Sequence, residues 1–180
     1  MNKTHPVHLE KNAEANAVAR DRWMAVGIQS LEVGNKQAAR DAFLRCLELA
    51  PQHFDALHLA GVLTAELGDP QKGLVLLDAA QELGGRASPY FSNNYGNVLL
   101  AVGDFAKAED AFERALVLLP AYPEALSNKA NLLLQQDRNE EALALYDQAL
   151  ALQPHFADAW ANRGLALRAL GELPAAQESL

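Results

Sequence analysis

Ala115-Leu116-Val117-Leu118-Leu119-Pro120 and Ala149-Leu150-Ala151-Leu152-Gln153-Pro154 are two versions of one phrase set 34 residues apart. Cys46-Leu47-Glu48-Leu49-Ala50-Pro51 is a third version, and Ala80-Gln81-Glu82-Leu83-Gly84-Gly85 a weaker fourth. A small residue recurs on the same period, at Gly27, Gly61, Gly96, Ala130 and Gly164. The steps between these are 34 residues, except for 35 between Gly61 and Gly96, which places a one-residue insertion in the stretch Gly84-Gly85-Arg86-Ala87-Ser88. Self-similarity at a fixed period of roughly 20–50 residues marks an array of supersecondary units, each too small to bury a core alone.

Each unit reads as two helices. Trp23, Val26-Gly27 and Leu31 recur at steps of three and four and so share one helical face. Gly34-Asn35 then breaks the helix, as do Gly68-Asp69, Gly103-Asp104, Asp137-Arg138 and Gly171-Glu172 at equivalent places. A second helix carries Ala39, Phe43, Cys46 and Leu47 on one face and stops before Pro51, whose ring and missing N–H oppose another turn. Ala108, Phe112 and Ala115 repeat that face, and so do Ala142, Tyr146 and Ala149. No segment sustains a period of two, so no sheet is expected. The small residues should let two antiparallel helices approach, with Ala39, Ala108, Ala142 and Ala176 opposite the glycines. Trp23, Phe43, Tyr95, Phe112, Tyr146 and Trp160 should fill the space beyond, and Phe105 should pack at a turn.

The recurrence of Trp23, Val26-Gly27, Ala39, Phe43, Cys46 and Pro51, echoed as far as Trp160, Gly164, Leu167, Gly171, Ala176 and Leu180, resembles the tetratricopeptide repeat family. The resemblance implies an all-α fold, a right-handed α-solenoid of antiparallel helix pairs whose concave face is lined by each first helix. The units fall at 20–53, 54–88, 89–122, 123–156 and, in part, 157–180, after a polar leader at 1–19 that is helical in part. Unit two departs most from the pattern. It has Gly85 where proline is usual and Gly73 where alanine is usual. A glycine inside a helix costs about 0.5–1 kcal/mol against alanine, so this unit is expected to be the weakest, with an irregular junction to unit three. The last unit stops partway through its second helix, where a solenoid normally carries a polar cap. That suggests a longer protein, or an end covered by a partner or a second copy.

Composition narrows the function. Of the 180 residues half are hydrophobic and 21% charged, too apolar for a disordered chain. No apolar run reaches the ~18 residues of a membrane span, so no membrane is expected. Nor does the N-terminus show a secretory signal, which points to the cytoplasm. The net charge is −8, and it is uneven: residues 1–53 hold seven basic and six acidic groups, residues 54–180 eight and seventeen. Such a field repels phosphate backbones and disfavours nucleic acid as a partner.

Catalysis is not expected. No two of the histidines His5, His8, His53, His58 and His155 sit four apart, no glycine-rich phosphate loop precedes a lysine, and the lone Cys46 takes a small-residue core slot. His5-x-x-His8 is at most an adventitious chelator, so no metal and no cofactor is expected. His53 and His155 fall in equivalent turns and read as solvated.

The resemblance also assigns groove positions. In unit one these include Asp21, Met24, Ala25, Ile28 and Leu31, and in unit two Asp55, His58, Leu59 and Val62. Unit three offers Tyr90, Asn93, Asn94 and Asn97; unit four Glu124, Ser127, Asn128 and Asn131; unit five Asp158, Ala161, Asn162 and Arg168. Asn94, Asn128 and Asn162 are 34 apart, and Asn97 with Asn131 makes a shorter row. A carboxamide offers both donor and acceptor, so the series could grip a peptide backbone independently of its side chains. It is similar to the asparagine ladder in the repeats of O-linked N-acetylglucosamine transferases. The alternative is that the amides bond to neighbouring helices. A carboxylate clamp for acidic chaperone tails is disfavoured, since Met24, His58, Asn93, Ser127 and Ala161 stand where it needs lysine. Lys129 and Arg163 should pack by their stems with their charges turned out. The expected function is a scaffold that binds an extended protein or peptide segment in the groove. The alternative is the recognition arm of a larger, glycosyltransferase-like enzyme whose catalytic domain lies beyond residue 180. Self-association through the end repeats is a third possibility.

Overall fold

The structure is a computed structural model that describes residues 6–179. Its elements are ten α-helices: α1 Pro6–Glu32, α2 Lys36–Leu49, α3 Phe54–Glu66, α4 Pro70–Glu82, α5 Pro89–Val102, α6 Phe105–Leu118, α7 Pro123–Gln135, α8 Asn139–Leu152, α9 Ala157–Ala169 and α10 Leu173–Glu178. No strand occurs among the described residues. One turn of 3₁₀ helix, Gly85–Ala87, takes up the inserted residue. The chain divides there into two compact units, 1–85 and 86–180.

Local chemistry sets the helix starts. Asn35, His53, Asp69, Ser88 and Asp104 each accept a hydrogen bond from the backbone N–H three residues on, so the first turns of α2 to α6 have a side-chain cap. His53, expected as a solvated turn residue, is thus a cap through Nδ1. The turns inside the helix pairs need a left-handed residue. Glycine supplies it at four of them, and Asp137, at φ 58°, supplies it between α7 and α8.

In residues 1–85 the helices pair as α1 with α2 and α3 with α4, and α2 also packs on α3. Ala39, Phe43, Ala60 and Leu63 form the buried centre, with Met24, Leu31, Leu44, Leu47, Leu59 and Leu76 around it. The Phe43 ring lies directly over Gly27: a Cβ built on Gly27 would come within 2.4 Å of it. The aromatic of the second helix therefore covers the glycine itself, where the sequence suggested an alanine opposite and the ring beyond.

Gly73 also corrects an expectation. A Cβ there would stand 2.6 Å from the carbonyl oxygen of Gly61 and 2.9 Å from the Cβ of Ala65. The two glycines let α3 and α4 touch backbone to backbone, so Gly73 is what the packing demands and not a weak point. Trp23 departs as well. It is 38% exposed, because no described helix covers the outer side of α1. The equivalent Leu57 and Leu126 are buried where α2 packs on α3 and α6 packs on α7.

In residues 86–180 α5 pairs with α6, α7 with α8 and α9 with α10, and α6 packs on α7 and α8 on α9. Phe112 covers Gly96 as Phe43 covers Gly27. Tyr146 takes the same place in a centre made of Ala130, Leu133, Ala142, Leu150, Ala159 and Ala166. Full burial of such a ring is worth about 2–3 kcal/mol. One ion pair repeats at a fixed offset between neighbouring elements. Lys129 Nζ meets Glu113 at 2.9 Å, and Arg163 Nε meets Asp147 at 2.6 Å. Both basic side chains bury most of their length, and Arg163 also lies 5.5 Å over the Trp160 ring.

Candidate functional site

The first helices α5, α7 and α9 are neighbours: α5 contacts α7 and α7 contacts α9. The register of the repeat brings the carboxamides of these helices together, but not along the 34-residue series. Asn128 Nδ2 donates to Asn93 Oδ1 at 2.9 Å, and Asn162 Nδ2 donates to Asn131 Oδ1 at 2.9 Å. Asn128 and Asn162 thus each reach an amide in a different slot of the preceding first helix. Asn131 Oδ1 also accepts from the Tyr146 hydroxyl at 2.5 Å, so both its lone pairs are used. Burial holds the Tyr146 phenol well above the ordinary tyrosine range. Asn93 is 4% exposed, and its amide stands near enough to the Tyr122 phenol to lower that phenol's pKa a little against the larger raising effect of burial.

This bonding fixes the amides and decides what they offer. Asn128 and Asn162 have committed a donor to the neighbouring helix. The Oδ1 of each has no partner among the described residues, nor do the two N–H groups of Asn131. Asn97 is exposed, and its carboxamide has no hydrogen-bond partner among the described residues. Asn94 is half-buried. The face therefore presents unpaired acceptors and donors on held side chains, the chemistry that pairs with a peptide main chain.

The other expected positions are less alike. Met24, His58 and Val62 are half-buried and Ile28 is exposed. Met24 packs on the Phe43 centre. The His58 ring lies 5.9 Å from that of Phe54, and desolvation pulls its pKa down while Asp55 acts the other way. Arg168 sits exposed in the last turn of α9, where a cation suits the negative end of the helix. It lines a cavity of about 220 Å³ with Leu165, Leu173 and Gln177. No group of three His, Cys, Asp or Glu among the described residues converges on a metal position. The His5-x-x-His8 pair lies outside the described side chains. No described helix is long and apolar enough to cross a membrane.

The sequence passed over Tyr122. It stands at the N-cap position of α7, on the same period as Ser88 and Phe156, but its side chain makes no cap bond; its ring meets that of Tyr90 edge to face, centroids 5.5 Å apart and planes at 70°. A tyrosine just before Pro123, in the only connector with such a pair, was the available signal.

A family model described as a tetratricopeptide repeat matches residues 61–125, 93–155 and 127–179, and a second of the same description matches 30–53. Among curated proteins, a tetratricopeptide repeat-containing protein, trd-1 of Caenorhabditis elegans, is 26% identical over 109 residues, which are 61% of this chain and 14% of that protein. Three solved structures share the fold. PilW, a widely conserved type IV pilus biogenesis factor, has a TM-score of 0.80 at 20% identity, over 94% of this chain and 79% of its own. Pseudomonas aeruginosa pilF has 0.76 at 21%, over 92% and 75%. MamA of Desulfovibrio magneticus RS-1 has 0.75 at 18%, over 89% and 90%.

Proposed function

The chain belongs to the tetratricopeptide repeat family, whose members are generally protein-interaction scaffolds, and from that premise we propose that it holds an extended segment of a partner protein against α5, α7 and α9. One observation carries this reading. Asn128 and Asn162 are pinned through Nδ2 and keep Oδ1 unpaired, so the face offers oriented acceptors without side-chain ordering on binding. The reading is of a binding module without chemistry of its own. Its partner is protein and not nucleic acid, in keeping with seventeen acidic against eight basic groups in residues 54–180.

The test is a peptide array probed with the chain and with its Asn97→Ala, Asn128→Ala, Asn162→Ala triple variant. At about 0.5–1.5 kcal/mol for each hydrogen bond, the variant should bind the retained peptides roughly tenfold or more weakly, with its helical spectrum unchanged and its melting lowered only as far as the lost Asn93 and Asn131 partners require. Equal binding by a folded triple variant would refute the reading.

A second reading, association of copies through α1, rests on Val18, Trp23 and Val26, which are 70%, 38% and 36% exposed on that helix. Leu57 and Leu126 fill the slot of Trp23 where a preceding second helix covers it, so the same face of α1 suits such a helix from another copy. Sedimentation across concentration should show a dimer that Trp23→Glu dissolves; a monomer throughout would remove this reading.

A further inference from the structure

Tyr90 is 59% exposed and stands against Tyr122 at a near right angle. In its slot the other units carry Asp21, Asp55, Glu124 and Asp158, so an aromatic there is peculiar to unit three. A ring this open adds little to a core. Beside Tyr122 lies the Asn93 amide, itself held by Asn128, which donates to Asn93 Oδ1. The Tyr122 hydroxyl is both a donor and an acceptor and can serve a ligand in either role. Glu124 lies close enough for its charge to act on that phenol, is exposed, and has no ion-pair partner among the described residues.

We propose that Tyr90 and Tyr122 form a ledge that seats a proline of a basic, extended partner segment. The pyrrolidine ring would lie in the angle between the two aromatics. The carbonyl before it would accept from the Tyr122 hydroxyl, and a neighbouring Lys or Arg would face Glu124. Chemistry on the page selects this occupant. An aromatic angle with a hydroxyl donor fits a polyproline-type segment, which has no internal hydrogen bonds and is already extended. The unpaired carboxylate and the acidic excess of residues 54–180 select a basic one. The inference rests on the peptide-binding reading above and names the partner class at one point of that face.

The probes are labelled peptides of about twelve residues, the length of an extended ligand, identical except for a central Pro-Lys, Ala-Lys or Pro-Glu. The chain should prefer Pro-Lys over Ala-Lys by about tenfold, the worth of one stacked ring. Tyr90→Ala should erase that preference and Tyr90→Phe keep it. Glu124→Gln should narrow the gap between Pro-Lys and Pro-Glu, and Asn162→Ala should weaken all three alike. If the chain binds Pro-Lys and Ala-Lys equally while Asn162→Ala still weakens both, the proline ledge is wrong and the peptide-binding face stands. If Tyr90→Ala leaves the preference intact, the ledge is wrong too. If no peptide binds, both fall.

Discussion

Asn128 Nδ2 and Asn93 Oδ1 meet at 2.9 Å, which ties α7 to α5 at a point where Asn93 is almost wholly shielded from water. A buried amide that loses its partner costs more than the bond itself was worth. Asn93→Ala should therefore destabilise the protein by about 1–3 kcal/mol, since it strands the Asn128 amide and leaves a gap in a nearly buried place. Asn97→Ala, at an exposed amide without a partner among the described residues, should stay within about 0.5 kcal/mol of wild type. Urea unfolding of the two variants checks the contrast.

Gly73→Ala should destabilise. Helix propensity favours alanine by up to about 1 kcal/mol, but the methyl group would drive into the Gly61 carbonyl, and overpacking of this kind costs about 1–3 kcal/mol. A lower midpoint in urea with unchanged slope is the expected result. A gain in stability would mean that α3 and α4 separate easily.

Tyr146 makes stability depend on pH at the alkaline end. Its folded phenol titrates above the unfolded value of 10.0, because burial disfavours the anion. The raised pKa means the unfolded state loses its proton first. The contribution is complete below about pH 10 and declines above it, by up to about 1.4 kcal/mol per pH unit for this one group. Tyr122 is raised as well, by burial first and then by Glu124, and adds to the decline. Tyr146→Phe should flatten part of the slope above pH 10. At neutral pH it should cost about 1–2 kcal/mol, through the lost bond to Asn131.

Cys46 is fully buried, and burial pushes its thiol pKa up. A thiol reagent should therefore reach it only when the α1–α2 pair opens. Gly73→Ala, which does not touch Cys46, should quicken labelling only if residues 6–85 open as one unit.

The sequence carried the array because the glycine, aromatic and proline slots recur at one period, and every helix break written in it is a turn in the structure. It also carried the row of amides. Their pairing was not legible, for a reason of geometry. Periodicity aligns Asn94, Asn128 and Asn162 at one height, but the crossing of successive first helices joins Asn128 to Asn93 and Asn162 to Asn131, residues in other slots. Gly73 was misread because propensity is a property of one helix, whereas the close approach to Gly61 belongs to two. That part of the leader is helical was expected; how far α1 reaches, back to Pro6, was not legible, because the apolar spacing Ala15, Val18, Ala19, Trp23 and Val26 does not extend over the polar stretch before it.

The most direct measurement is an N-methyl scan of a bound peptide against the wild-type chain and Asn128→Ala. If fixed carboxamides grip the main chain, methylating particular backbone nitrogens should lower affinity by about tenfold at those positions, roughly one hydrogen bond each. Alanine scanning of the peptide's side chains away from the Tyr90 ledge should do little. In Asn128→Ala one of those N-methyl penalties should vanish. A peptide whose affinity falls with its side chains, ignores N-methylation and binds Asn128→Ala as it binds the wild type would contradict the account.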